Sequence, residues 1–215
     1  MRIVVFDTET TGLPKSRKPV KSMKDNWPHI VSISWCVLEN DSVVETHSYI
    51  VRPIHWTISD DSIAIHGITN EKAMREGVDL EFVMNKFIAT RYDVLIAHNI
   101  DFDENVLMNA IYWDLGRVQF LEFPHPKRCT MNLSRNICKL SFNGHSYKSP
   151  RLSELYKFVF GREPDTSQLH GSLYDVQILV EIIQNCQPLR EKLGLIKPHI
   201  IPFNAPSSNS NILRI

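Results

Sequence analysis

Short apolar runs separated by polar turns characterise the first half of the chain. They are rich in β-branched residues, as is typical of buried strands, and they lie at residues 3–6, 30–38, 43–51 and 93–97. The second and third runs are separated by Glu39-Asn40-Asp41-Ser42, whose polar residues predict a hairpin turn. A further short strand is expected near residues 127–130.

Apolar residues at helical spacing predict helices in the rest of the chain. Residues 80, 83, 84, 87 and 88 are all apolar, which is the pattern of one helix face. We expect helices over 80–90, 102–115, 131–138, 152–160 and 172–186, with a polar insertion at 142–150. A hairpin followed by alternating strands and helices indicates an α/β fold, in which a mixed sheet is flanked by helices.

Composition and charge limit the number of domains and the cellular location that we expect, but they do not indicate a binding partner. The 215 residues suit one domain with a small appendage. Lys plus Arg (24) equal Asp plus Glu (24), so net charge predicts no acidic partner. The four cysteines are scattered, as reduced thiols are. The N-terminus does not resemble a signal peptide, and no run approaches the roughly 18 apolar residues of a membrane helix. We therefore expect an intracellular, cytoplasmic protein with no membrane partner.

Two carboxylates leave the end of the first predicted strand together. Asp7 and Glu9 are two residues apart, so along a strand they point to the same side. Neighbouring carboxylates repel each other unless a cation lies between them. For an isolated Asp-x-Glu, a solvated strand end is the commoner explanation, and only the rest of the chain argues against it. A tight turn is expected at Thr10–Pro14.

Two further acidic sites begin predicted helices. In His98-Asn99-Ile100-Asp101-Phe102-Asp103, the two acids compete as the functional carboxylate, and either also suits a helix N-terminus. In His170-Gly171-Ser172-Leu173-Tyr174-Asp175, Ser172 and Asp175 have the spacing of a capping box. His170 precedes that helix, where a lone histidine is usually a surface residue. Beside metal-bound carboxylates, its ordinary pKa of about 6.5 would suit a general base.

Together these segments supply four carboxylates and one histidine near strand ends and helix starts, namely Asp7, Glu9, Asp103, Asp175 and His170. Oxygen ligands of this kind suit hard divalent cations. Two such ions about 3.5–4 Å apart can hold the attacking and leaving oxygens of a phosphodiester displacement. We therefore expect two Mg²⁺ or Mn²⁺ ions as cofactors. Zinc is less suited, because the sequence has no His/Cys cluster with ligand spacing.

The order and spacing of these motifs resemble the DEDDh family of exonucleases. The matching segments are Asp7-Thr8-Glu9-Thr10-Thr11-Gly12, His98-Asn99 with Phe102-Asp103, and His170 with Leu173 and Asp175. That family includes the proofreading epsilon subunit of bacterial DNA polymerase III, RNase T and oligoribonuclease. The resemblance implies an RNase H-like mixed five-stranded sheet in an exonuclease domain at 1–186. A partly irregular C-terminal extension is expected at 187–215, and the polar composition of residues 205–210 predicts a flexible tail there.

The resemblance also implies roles for individual residues. It selects Asp103 over Asp101, because the family's acid follows the phenylalanine, and it implies that Asp7, Glu9, Asp103 and Asp175 hold the metal ions while His170 acts as the base. Ile65-His66-Gly67-Ile68-Thr69 is similar to the family's substrate-side segment. The expected contacts to the terminal nucleotide are Thr10, Leu13, His66, Asn99 and Phe102. Cys129–Arg135 departs from the family pattern, but no metal ligand is implied there.

The function implied is a metal-dependent 3′–5′ exonuclease that releases 5′-mononucleotides from single-stranded or frayed 3′ ends, with DNA favoured over RNA. A proofreading role in a polymerase complex stays open beside a stand-alone role. The alternatives are an exoribonuclease of the RNase T or oligoribonuclease type, a non-catalytic polymerase-accessory module, and a phosphohydrolase of small nucleotides. The segment Lys15–Lys24 has five Lys/Arg within ten residues. It suits either a solvated loop or a phosphate-contacting loop.

Overall fold

A computed structural model describes residues 1–197 apart from 121, 124–125, 143 and 145. Strands β1 to β5 form the main sheet and comprise Arg2–Thr10, Ile30–Glu39, Ser42–Ile50, Val94–Ala97 and Lys127–Cys129. Strands β6 and β7, Ser141–Phe142 and Ser146–Tyr147, form a separate hairpin. Helices α1 to α8 comprise Asp60–His66, Asn70–Glu76, Leu80–Ala89, Ile100–Asn109, Thr130–Cys138, Leu152–Phe160, Ser172–Asn185 and Gln187–Leu193.

The main sheet is mixed, with the strand order β3-β2-β1-β4-β5. The central strand β1 pairs antiparallel with β2 and parallel with β4. Between β2 and β3, Asn40 and Asp41 have φ angles of 49° and 66°. Tight hairpin turns require such left-handed angles, and short polar residues tolerate them. The predicted α/β class, the mixed five-stranded sheet and the hairpin are confirmed.

Side chains on β1 alternate between two hydrophobic cores. Val4 and Phe6 lie in a core that also holds buried residues of α3 and α4. Ile3 and Val5 lie in a second core, on the other face of the sheet, with residues of α6 and α7. Because both faces of the central strand are covered, its interior is apolar, and its polar side chains are confined to its two ends.

The ends of several elements differ from those predicted. Strand β1 continues through Thr10, where the sequence predicts a turn, because Thr10 still pairs with Ile30 beyond a register shift. Helices α1 and α2 are not predicted, since each has only seven residues and shows too little periodicity to detect. Their starts are marked by side-chain caps, Ser59 and Thr69, whose hydroxyls accept backbone N–H bonds. The small hairpin of β6 and β7 overlaps the polar insertion predicted at 142–150 and begins one residue before it.

Helix α4 continues into a π-helical turn at Ala110–Asp114. The N–H of Leu115 bonds to the carbonyl of Ala110 at 2.9 Å, which is the i→i+5 spacing of such a turn. The single helix predicted over 102–115 is therefore two types of helix in succession. Trp113, in the π turn, donates its indole N–H to the Val20 carbonyl at 2.9 Å.

The first part of the segment predicted as a C-terminal extension is helical. Leu189 and Leu193 of α8 are buried in the core that α6 and α7 share. The domain boundary at 186 stays a prediction, and the tail predicted at 205–210 lies outside the described residues. Among the residues that the structure describes, no helix is long and apolar enough to span a membrane.

Gly77 closes α2 against the end of β3, and its missing side chain is essential there. A Cβ at this position would lie 2.2 Å from the Ala73 carbonyl oxygen and 2.8 Å from the Arg52 nitrogen. We predict that Gly77→Ala lowers the free energy of unfolding by about 3 kcal/mol, at the upper end of overpacking costs. Met74→Ala, an exposed change on the same helix, should cost less than about 0.5 kcal/mol. Urea titration measures both, and equal stabilities would contradict the prediction.

Candidate active site

Three carboxylates converge at the end of the central strand. Asp7 and Glu9 project from β1 towards α7, as predicted from their spacing, and Asp175 lies in the first turn of α7. One oxygen of each carboxylate lies within 4.8 Å of the others, a grouping that could hold a metal ion. Two elements distant in sequence therefore build one oxygen-rich site.

The fourth predicted acid, Asp103, approaches from the opposite face of the sheet. Its Oδ1 accepts hydrogen bonds from the backbone N–H and the hydroxyl of Thr8, at 3.1 and 2.8 Å. Thr8 points away from Asp7 and Glu9 because alternate residues of a strand face opposite sides. Asp103 is only 3% exposed, whereas Asp101 is exposed to solvent. Asp103 lies outside the group of three, yet its charge reaches Asp7.

The crowded carboxylates resist ionisation. Burial raises the pKa of Asp7 well above its ordinary value, and the charges of Asp103, Glu9 and Asp175 raise it further. Burial, with Asp175 and Asp103, raises the pKa of Glu9 to about 9. Burial also raises the pKa of Asp103 to about 7 and that of Asp175 to about 6, against the lowering effect of Thr8 and His170 respectively. A bound cation would remove this repulsion.

The donor set fits a hard divalent cation. Every converging ligand atom is a carboxylate oxygen, the type that Mg²⁺ and Mn²⁺ prefer. In addition, Oδ1 of Asp175 is buried without a hydrogen-bond partner within the protein. Because buried polar atoms are normally paired, this oxygen has the surroundings expected of a metal ligand.

His170 lies beside the carboxylates on an exposed turn. Its φ angle is 63°, and its charge and backbone N–H lower the pKa of Asp175. His170 also interacts electrostatically with His66, whose pKa is lowered mainly by burial. His170 is exposed to solvent at the edge of the site, as predicted from its place on a turn before α7.

A chain of serine hydroxyls fixes the start of α7 on the sheet. Ser172 Oγ lies 3.0 Å from Ser32 Oγ and 2.8 Å from Ser34 Oγ, and Ser34 donates to Ser48 at 2.9 Å. Ser32 and Ser34 are the residues of β2 that pair with Glu9 and Asp7. The capping-box interpretation of Ser172 is wrong, because Gly171 is the N-cap and the hydroxyl is engaged by the sheet. Ser172 thus holds Asp175, one turn further on, opposite the two β1 carboxylates.

The predicted substrate contacts surround the carboxylates. Thr10 donates its hydroxyl to the Gly12 carbonyl at 2.7 Å and so shapes the turn that presents Leu13, which is 83% exposed. His66 Nδ1 accepts the Ile68 N–H at 3.1 Å. Asn99 is exposed, with a left-handed φ of 78° at the start of α4. Phe102 is half-buried, and its ring centroid lies 6.2 Å from that of Trp27.

Sequence reasoning missed the residues that hold the acids in place. Thr8 was visible only as the residue between Asp7 and Glu9, and strand alternation directs it to the other face of the sheet. Ser32 and Ser34 showed no signal until the register of β1 and β2 was known, and Ser172 was noticed only for its spacing from Asp175. His98 has a structural role, since its ring bonds to Thr130 Oγ1 and to the Pro150 carbonyl, both at 3.0 Å.

The mixed sheet, with acids from three elements at the end of its central strand, defines a nuclease domain of the RNase H-like class. The model of the RNase_T exonuclease family matches residues 4–183, and the chain therefore belongs to this family. The predicted resemblance to the 3′–5′ exonucleases of the DEDDh type is confirmed, and with it the prediction of a phosphodiester hydrolase.

Individual relatives are exonucleases and a polymerase. DNA polymerase III PolC-type of Mycoplasmopsis pulmonis (strain UAB CTIP) is 26% identical over 194 residues, which are 88% of this chain and 12% of the polymerase. Exonuclease X in complex with 5′-overhanging duplex DNA is 25% identical, with a TM-score of 0.59 over 89% of this chain and 93% of that one. The zinc-bound E. coli exonuclease I complex with single-stranded DNA, 18% identical with a TM-score of 0.68 over 90% and 43%, shares the fold.

We predict that the metal-free protein loses stability as pH rises. The raised pKa values mean that the folded state keeps protons that the unfolded chain releases from about pH 4 upwards. The free energy of unfolding should therefore fall as pH rises through 6, 7 and 9, the values for Asp175, Asp103 and Glu9. Urea titrations in EDTA measure how steeply the free energy of unfolding falls with pH. The same titrations with Mn²⁺ in place of EDTA should give a flatter pH profile.

The control for this pH profile is Glu9→Gln, which removes one titrating group and keeps its shape. Its profile in EDTA should flatten between pH 7 and 9 because Glu9, with a folded-state pKa of about 9, no longer titrates there. Identical profiles for the wild type and Glu9→Gln would contradict the prediction.

We predict that Ser172→Ala lowers the free energy of unfolding by about 1–3 kcal/mol, since it leaves the buried Ser32 hydroxyl unpaired. It should also weaken Mn²⁺ binding, measured by calorimetry, because Asp175 is no longer held. Ser48→Ala is the matched control: Ser48 is exposed at the outer end of the hydroxyl chain, where water replaces the lost partner. Equal effects of the two changes would contradict the role of Ser172.

Proposed function

We propose that this chain is a two-metal 3′–5′ exonuclease that removes 5′-mononucleotides from single-stranded or frayed DNA ends. The observation that carries the proposal is the group of Asp7, Glu9 and Asp175, with oxygens within 4.8 Å and one buried oxygen unpaired, beside the exposed His170. Such a site combines carboxylates that can hold metal ions with an exposed imidazole that can act as a base in phosphodiester hydrolysis.

Asp7, Glu9, Asp103 and Asp175 would hold two Mg²⁺ or Mn²⁺ ions. When bound, such ions activate water and offset the charge that develops on the phosphate oxygens. The protein supplies the frame: the β1 pair is rigid within the sheet, Asp175 is fixed through Ser172, and Asp103 is oriented by Thr8. The two hydrogen bonds from Thr8 both reach Oδ1 of Asp103, so Oδ2 stays available as a ligand.

His170 would accept a proton from the attacking water. Its imidazole is exposed and borders Gly171, so the ring can adjust to a bound strand. His170 lies close enough to Asp175 for the two side chains to interact electrostatically. After each cycle, the exposed ring can return the proton to solvent.

The 3′-terminal nucleotide would be held by side chains around the carboxylates. The exposed Leu13 can pack against the last base, and Phe102 can contact the sugar. His66, Thr10 and Asn99 supply polar groups at the same end of β1 and β4. Since these contacts address a free end and not a base edge, we expect little sequence preference.

DNA is the favoured substrate because two related exonucleases are described in complex with DNA, one with a 5′ overhang and one with a single strand. The polymerase relative supports a proofreading setting as the alternative to a stand-alone one. An exoribonuclease of the RNase T type is the second candidate. A non-catalytic accessory role is less favoured, since the sequence contains all four predicted acids and His170.

The test uses 5′-labelled DNA and RNA oligomers of one sequence, incubated with Mg²⁺. The wild type should yield a ladder that shortens by single nucleotides from the 3′ end, faster on DNA. Asp7→Asn should abolish it through loss of metal. His170→Ala should slow cleavage by about 10²–10⁴-fold, the usual contribution of a general base, while Mn²⁺ binding is retained.

Asp101→Asn is the matched control for these variants, because this exposed acid lies two residues from Asp103 and outside the site. It should cleave at the wild-type rate. A ladder that persists in Asp7→Asn would contradict the proposed site, and faster cleavage of RNA would favour the exoribonuclease alternative.

A further inference from the structure

A cavity lined by aromatic and cationic side chains lies beside the turn that follows β1. Its volume is about 380 Å³, and its walls include His29, Trp56, Trp113, Lys24 and Arg52. We propose that this aromatic pocket binds a nucleotide of the substrate strand outside the cleavage site, by stacking its base and contacting its phosphate. The inference rests on the proposed function and adds a second point of attachment to it.

Two parallel rings line the pocket and stack on each other. The rings of His29 and Trp56 have centroids 5.3 Å apart and an interplanar angle of 6°. Asp114 Oδ2 lies 2.9 Å from His29 Nδ1 and fixes the imidazole plane. A cavity of this size accepts a single nucleotide. Base stacking on such rings tolerates any sequence, because every base has a flat face.

The pocket is joined to the cleavage site through the backbone. The Thr11 N–H bonds to the His29 carbonyl at 3.1 Å, and the His29 N–H bonds to Thr11 Oγ1 at 3.1 Å. Thr11 belongs to the turn between Thr10 and Leu13, where the terminal nucleotide is expected. A nucleic-acid strand whose 3′ end lies at the carboxylates can therefore reach the pocket on the far side of that turn.

Two cations at the rim of the pocket can contact a phosphate. Three carboxylates also line it: Asp114 lies against His29, Asp79 caps α3 by accepting the N–H groups of Glu81 and Phe82, and Asp25 is exposed. Lys24 and Arg52 are exposed cations on the same lining. We assign the phosphate contact to these two side chains, of which Arg52 also donates to the Gly77 carbonyl at 2.9 Å.

The basic segment Lys15–Lys24 continues this surface in an ordered form. Asn26 donates to the Ser16 carbonyl at 3.0 Å, and Trp27 donates to the Lys18 carbonyl at 3.0 Å. The backbone is thereby fixed while the Lys and Arg side chains of the segment stay exposed. Since a free mononucleotide needs no such surface, the pocket suits a polynucleotide strand.

The experiment compares two substrates. The p-nitrophenyl ester of thymidine 5′-monophosphate reports on the cleavage site alone, and a single-stranded DNA 12-mer also reaches the pocket. For Trp56→Ala we expect KM on the 12-mer to rise about tenfold, within the range of one lost stacking contact. We expect kcat and KM on the ester to stay at wild-type values. Phe158→Ala removes a more exposed aromatic of α6 that lies outside the pocket lining, and it should change cleavage of neither substrate.

A second variant keeps the test decisive if Trp56→Ala does not fold. Lys24 is exposed, so Lys24→Ala should fold normally, raise KM on the 12-mer severalfold and reduce its dependence on salt. Unchanged KM on the 12-mer in a folded Trp56→Ala or in Lys24→Ala would overturn the pocket. Failure of the wild type to cleave either substrate would instead overturn the proposed function.

Discussion

The repulsion among buried carboxylates at the end of β1 is the constraint on which the site depends. Oxygens of Asp7, Glu9 and Asp175 lie within 4.8 Å of one another, where negative charges repel each other. Burial also raises the pKa values of all three side chains. The fold keeps them there at a cost in stability, as functional sites often do. That cost is offset only when positive charge enters the site, so folding and metal binding are coupled.

A strained site needs a rigid frame, and hydroxyl groups supply it. On one face of the sheet, Ser172 connects the start of α7 to β2 at the two residues opposite the β1 acids. On the other face, Thr8 holds Asp103. Hydroxyl groups suit this task because they form hydrogen bonds without adding charge to a region that already has excess negative charge.

The sequence predicts the strands and long helices because their periodicity extends over enough residues, as for α3 and α6. It also predicts acids that the fold brings together, since Asp7 and Glu9 share one side of a strand and Asp175 lies at the start of a helix. It does not predict α1 and α2, whose seven residues carry little periodic signal. Nor does it predict contacts that depend on strand register, such as Ser172 with Ser34, or pairings between distant elements, such as His29 with Trp56.

The π turn at the end of α4 has a consequence for how this domain can vary. A π turn holds one residue more than an α turn over the same length, so each later side chain is rotated by roughly 100°. That rotation brings Trp113 to the Val20 carbonyl and Asp114 to His29. Gain or loss of a single residue at Ala110–Asp114 would therefore create or dismantle the aromatic pocket, while Asp103 in the first turn keeps its position. Nucleic-acid binding at the proposed pocket and bond cleavage at the carboxylates can thus diverge independently in evolution.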